Sequence, residues 1–217
     1  MENKSNEISW IDRDIKRFKE TGVIIPVGQK KIYEKISEEW VSGRTVIDIG
    51  CSIGIGSNIL SHHARFVWGV DINKEAVEFA NLAFARPNLN FAVLDVEHPP
   101  TRELSRFEVI VVIEILEHLK DVQAGLNTIK RFFSTREKSM CFITAPNLNN
   151  EEVKKRDAEN KLHLQHWTAG DFYKLMIDNF QSVVFYSGDN LKKWTNDELT
   201  DGNSKAGLII AKVEGIK

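Results

Sequence analysis

The 217-residue chain has two cysteines, five prolines and no apolar run long enough to cross a bilayer. Cys51 and Cys141 both sit in apolar, strand-like contexts, which excludes a disulfide framework and fits a reducing compartment. The polar opening Met1-Glu-Asn-Lys-Ser-Asn-Glu7 leads into no apolar stretch, so no signal peptide is expected and the expected location is the cytoplasm. Neither sign of charge dominates, with 29 Lys and Arg against 31 Asp and Glu and a formal charge of −2. That balance gives no overall attraction to nucleic acid or to an anionic membrane, although a local basic groove would not show in the sum. No Pro/Gly/Ser-rich linker, charge block, repeat or low-complexity tract divides the sequence. With 42% apolar residues, one domain over 1–217 is expected, with a helical cap over 1–44 and an α/β core over 45–217.

In the cap, Trp10, Ile11, Ile15 and Phe18 recur at helical spacing; Pro26 and Gly28 make a turn, and Ile32, Ile36 and Trp40 share one face of a second helix. From residue 45 the pattern changes to short β-branched runs, Thr45–Ile49, Phe66–Val70, Phe91–Leu94, Val109–Ile113 and Met140–Thr144. Helical segments over Ser57–His62, Lys74–Ala85 and Asp121–Phe133 lie between most of them. Strands separated by helices imply right-handed crossovers, and so a doubly wound parallel sheet with helices on both faces. Thr168–Asn179 reads as a helix with Thr168 as N-cap and Asp171 in the capping-box position. Gln181–Tyr186 and Leu208–Val213 lack a crossover helix between them, which predicts an antiparallel pair at the sheet edge.

The segment Val46-Ile-Asp-Ile-Gly-Cys-Ser-Ile-Gly-Ile-Gly-Ser57 is a strand, a Gly-rich turn and a helix start. Its glycines, at 50, 54 and 56, do not follow the G-x-G-x-x-G dinucleotide spacing. Asp48 before the turn disfavours a bound pyrophosphate and suits a cationic ligand such as an ammonium or a sulfonium. Asp71 ends the next strand at a spacing from Asp48 that suits a ribose-binding carboxylate; by itself it would read as a helix N-cap. Asp95 closes the third strand at the same edge, where it can accept a hydrogen bond from an adenine amine or serve as an ordinary loop aspartate.

Together these residues resemble the class I S-adenosylmethionine (SAM)-dependent methyltransferases over roughly residues 30–215. The resemblance rests on Val46–Ser57, Gly69–Asn73, Leu94–Val96, Phe107–Leu119 with its Glu-x-x-Glu-His-Leu ending, and Ile143-Thr-Ala-Pro-Asn147. It implies a Rossmann-like sheet of seven strands, mostly parallel with an antiparallel last strand, and SAM as cofactor. By position, Asp48, Gly50 and Gly54 would line the methionine end, Asp71 would hold the ribose, and Asp95 and Val96 the adenine, with Glu114 beside the cofactor; Cys51, Ser52, Gly56 and Ile72 complete the expected cofactor-binding set. Two departures mark a divergent member: Ser52 where the family usually has glycine, and Ser134-Thr-Arg-Glu-Lys138 in place of the common Lys-Pro-Gly-Gly turn.

Glu114, Glu117 and His118 are spaced so that a helical turn would gather them on one face, and His163 and His166 follow before Trp167-Thr168. Two carboxylates and two imidazoles can bind a divalent cation. A similar set occurs in metal-dependent 2′-O-methyltransferases of small-RNA 3′ ends, with Glu114, Glu117, His118 and His163 at the matching positions. The favoured expectation is metal-free, with His118 and Glu117 catalytic and His118 taking a hydroxyl proton. The acceptor expected is an oxygen or nitrogen of a small molecule; the alternatives are a nucleic acid, which requires a basic channel leading to Glu114, and a non-catalytic SAM-binding module. His62, His63 and His98 read as solvated or structural, and Trp10, Trp40 and Trp167 as packing. Trp194 lies in the polar stretch 188–207 that could fold over the site.

Overall fold

The computed structural model describes residues 12, 15–22, 25–102, 104–134, 138–195 and 206–217. Trp10 and Ile11 of the first expected helix, residues 135–137 of the divergent turn and residues 196–205 of the polar stretch lie outside them. Seven strands, β1 (Thr45–Ile49), β2 (Phe66–Asp71), β3 (Leu89–Val93), β4 (Val109–Val112), β5 (Met140–Pro146), β6 (Phe180–Ser187) and β7 (Leu208–Ile216), form one sheet in the order β3-β2-β1-β4-β5-β7-β6. β1 to β5 pair parallel, while β7 runs antiparallel between β5 and β6.

Alternation along the strands explains the layering. Val46, Val109 and Val111 face one side with Ile32, Tyr33 and Ile36 of α1 (Val27–Glu39), Leu60 of α2 (Ile55–Ser61), and Val77 and Ala80 of α3 (Lys74–Ala83). Ile47, Ile49, Ile110 and Val112 face the other, under Leu126 and Ile129 of α4 (Val122–Arg131). Trp194 joins that second core and is 9% exposed, so its ring packs inside. Each face becomes a two-layer core that removes several hundred Å² of apolar area from water, the main source of stability.

Local signals fix the ends of the elements. α1 begins directly after Pro26, so Gly28 lies in its first turn and not in the bend before it. Asn73 caps α3 by accepting from the Ala76 amide, and Asp121 caps α4 by accepting from Ala124. Thr168 and Asp171 form a reciprocal capping box at the start of α6 (Ala169–Asn179). The sequence pattern gives no helix over α5 (Glu151–Glu159), yet one forms, capped by Asn150, which accepts from the Glu152 and Val153 amides. The carboxyl ends of β1 to β5 converge on one edge of the sheet, where a parallel α/β sheet opens its crevice.

Candidate active site

The Gly-rich turn is held from below. The Gly50 and Cys51 amides both donate to the Val70 carbonyl, at 2.7 and 3.0 Å, pinning the turn to β2. The Ser52 amide donates to Asp71 Oδ2 at 2.8 Å, and the Asn73 amide to Asp71 Oδ1 at 2.8 Å. Asp71 is therefore a half-buried carboxylate that ties the turn to the end of β2, and the helix cap is Asn73 instead. Burial raises its pKa, against the backbone hydrogen bonds that lower it. Ser52 adopts a left-handed backbone, at φ 48°, which a glycine would take without strain. Beside Asp71, at the carboxyl end of β2, Ile72 is 66% exposed.

Asp48 differs from its sequence reading. It is fully buried, and its two oxygens accept from Tyr33 Oη at 3.0 Å and Ser57 Oγ at 2.6 Å. No part of the carboxylate faces open space, so Asp48 organises the turn from behind and does not line the ligand surface. Burial pushes its pKa up to about 7, against the two hydroxyl donors that lower it. Gly56 lies over the same tyrosine: a Cβ there would stand 2.2 Å from Tyr33 Cζ. Cys51 is buried, and burial raises its thiol pKa well above the usual value, so it is a neutral packing group. Val96 is likewise buried within the core, while Asp95 accepts from the Glu97 and His98 amides and pairs with His98 Nδ1 at 3.0 Å. His98 is thus the structural partner of Asp95.

β4 leads into the second half of the site. Glu114 has φ 56°, a conformation that costs a non-glycine residue about 1–3 kcal/mol and is found where surrounding contacts impose it. Those contacts are with Thr144 of β5: the Glu114 amide donates to Thr144 Oγ1 at 2.9 Å, and that hydroxyl donates to Glu114 Oε1 at 2.9 Å. Burial lifts the Glu114 pKa to about 7, against the Thr144 bond. Ile115 then packs on the Gly-rich turn, its Cδ1 only 1.9 Å from where a Gly50 Cβ would stand. Leu116–His118 form a single 3-10 turn and no α-helix, which places Glu117 inward and His118 outward.

The segment after α5 is strapped to this turn. The Leu164 and Gln165 amides donate to the Glu117 carbonyl at 2.7 and 3.0 Å, and the His118 ring nitrogen Nδ1 meets the Leu162 carbonyl at 2.9 Å. His163 arrives edge-on to His118 with ring centroids 4.8 Å apart. Asp157 of α5 accepts from Nδ1 of both His163 and His166 at 2.5 Å. Burial lowers the His118 pKa, against the bond to the Leu162 carbonyl that raises it, which favours the neutral imidazole near pH 7. The structure thus brings Glu117, His118 and His163 together, each offering a ligand atom within 4.8 Å of the others, while Glu114 is held aside by Thr144. Sequence reasoning missed Tyr33, Ser57 and Asp157; only Asp157 had a local signal, the Asn150-Glu151-Glu152 start of a helix.

With this geometry in view, residues 47–143 match the family described as a methyltransferase domain. The chain is thus similar to methyltransferases over that segment, and its fold is that of SAM-dependent methyltransferases of known structure. A TehB-like SAM-dependent methyltransferase from Corynebacterium glutamicum shares the fold, with a TM-score of 0.66, 18% identity, and coverage of 99% of this chain and 100% of that one. The N-methyltransferase NodS from Bradyrhizobium japonicum, solved with S-adenosylhomocysteine, superposes with a TM-score of 0.64 at 13% identity, over 95% and 97% of the two chains. Among curated proteins, a ubiquinone biosynthesis O-methyltransferase of Coxiella burnetii is 31% identical over 129 residues, 55% of this chain and 53% of its own length. The chain therefore spans about half the length of the curated relatives it matches. The domain's residues fit SAM on two counts: Asp71 retains lone pairs for a ribose diol, and exposed Ile72 offers an apolar surface for a base.

Proposed function

We propose that the chain is a SAM-dependent methyltransferase acting on a hydroxyl of a small molecule, and that it works in the cytoplasm. The observation that carries this reading is the packing of Ile115 on Gly50, which sets the neutral imidazole of His118 one turn from the cofactor loop. The names of the curated relatives, ubiquinone biosynthesis O-methyltransferases, favour oxygen over nitrogen as the acceptor atom.

When bound, SAM supplies its methyl group to the acceptor oxygen and leaves as S-adenosylhomocysteine. Asp71, with Ile72 beside it, binds the ribose and adenine end; Gly50 to Gly54 shape the methionine end; Asp95 and Val96 border the adenine. Asp48, from behind, keeps the turn in register through Ser57 and Tyr33. His118 donates through Nδ1 to the Leu162 carbonyl, leaving Nε2 free to take the hydroxyl proton. Glu117 lies buried beside it, its pKa raised by burial and then by the neighbouring Glu114.

The test is release of S-adenosylhomocysteine from SAM with a panel of hydroxylated aromatic and aliphatic acceptors. His118→Ala is expected to lower kcat about a hundredfold while leaving SAM affinity, by calorimetry, within about twofold. Tight SAM binding with no turnover on any acceptor would favour the non-catalytic module.

A further inference from the structure

A cavity of about 260 Å³ lies between α6 and β6, the outermost strand on that side of the sheet. It stands three strand spacings from β4, roughly 14 Å at about 4.8 Å each, and so apart from the crevice. The Lys192–Trp194 segment explains its position. The Ser187 amide donates to the Lys192 carbonyl and the Trp194 amide to the Phe185 carbonyl, at 2.9 Å each, so this segment pairs with the outer edge of β6 as far as Phe185. Past Phe185, Val183 and Gln181 of β6 line the cavity, and Tyr173 and Ile177 of α6 face them. The Tyr173 and Phe185 rings meet with centroids 5.4 Å apart, which makes this wall aromatic. Three donors are left over around the space. Only 9% of Trp194 is exposed, yet its indole N–H has no hydrogen-bond partner among the described residues and is not sealed in the core. The Tyr173 hydroxyl and the Lys193 ammonium line the same cavity and have no partner among the described residues either. A nearly buried donor without an acceptor is rare in a folded protein and points to a ligand.

We propose that this cavity is a binding site for a small aromatic carboxylate, separate from the methyl-transfer crevice. Aromatic walls favour a flat ring, through offset or edge contacts. The lining holds two lysines, Lys193 and Lys217, and no Asp or Glu, which selects an anion. Lys217 is fixed in place by donating to the Ile177 carbonyl at 2.6 Å, while Lys193 is free to meet the ligand. The indole N–H and the phenol then donate to carboxylate oxygens, acceptors that can take several such bonds. The volume lies near the lower end for small-molecule pockets, about 300 Å³. That size suits one or two fused rings and excludes a nucleotide. A neutral amide of the same shape keeps the ring contacts and loses the charge-assisted bonds. The inference needs neither SAM nor methyl transfer, since no residue of the crevice lines the cavity.

The experiment titrates the full ¹⁵N-labelled chain with naphthalene-2-carboxylate and, for comparison, with naphthalene-2-carboxamide. The Trp194 indole N–H resonance, assigned by its loss in Trp194→Phe, is expected to shift saturably with the acid. The amide should bind about tenfold more weakly, and Lys193→Gln should weaken the acid about tenfold while leaving the amide unchanged. An otherwise unaltered amide spectrum shows that the Lys193 variant is folded. Saturating S-adenosylhomocysteine should leave the affinity for the acid as it was. No shift of the Trp194 resonance, equal affinities for acid and amide, or an affinity for the acid untouched by Lys193→Gln overturns the proposal. Displacement of the acid by S-adenosylhomocysteine overturns it too, by placing the acid in the crevice.

Discussion

Asp48 shows how much one buried acid can hold. Its carboxylate joins three pieces of chain: β1 by the backbone, α2 through Ser57, and α1 through Tyr33. The arrangement has a pH signature. With the folded pKa raised from 3.8 to about 7, the folded protein binds more protons than the unfolded chain between those values. The stabilising contribution is complete below about pH 4 and is lost as pH rises through 7, and Glu114, also raised to about 7, acts in the same direction. Urea unfolding should therefore show lower stability at pH 8 than at pH 5, and Asp48→Asn should flatten that fall. A slope identical to wild type in the variant would assign the dependence to other groups.

At the scale of elements, α5 matters because it delivers Asp157 to His163 and His166. Its nine residues bury only Val153 and Asp157, so most of its stability comes from its cap and not from packing. Asn150→Ala should cost about 1 kcal/mol and loosen the pair of histidines, visible as a shift in their imidazole resonances by NMR before any change in global melting. The same thin burial explains why this helix was illegible: an apolar periodicity cannot be read from two positions, and only the Asn-Glu-Glu start pointed to it. Thr45–Ile49 could be read to its ends because five residues alternate between two cores, and Thr168 with Asp171 because a capping box is local. The Glu114–His118 cluster was legible in composition but not in geometry. Helical spacing presumes α-geometry, whereas the chain turns left-handed at Glu114 and then makes a 3-10 turn, which buries Glu117 fully, Glu114 partly and leaves His118 exposed. Tyr33 on Asp48 could not be read at all, since the contact joins separate elements through tertiary packing.

Across the whole molecule, the sheet separates two tasks. Its carboxyl edge gathers the acidic groups and histidines, while α1, α2 and α3 brace the Gly-rich turn from one face. Tyr33→Phe tests that bracing: it leaves one Asp48 oxygen without a donor and should cost about 1–3 kcal/mol of stability. In combination with Asp48→Asn the two effects should be less than additive in urea unfolding; strict additivity would mean the hydroxyl and the carboxylate act separately. The wedge of Tyr33 against Gly56 carries this further. Because the ring occupies the space a side chain at 56 would need, the turn and α1 form one cooperative unit that opens together. Occupancy at the crevice mouth would then be felt on the far side of β1, as slower amide hydrogen exchange along a helix that never meets the ligand.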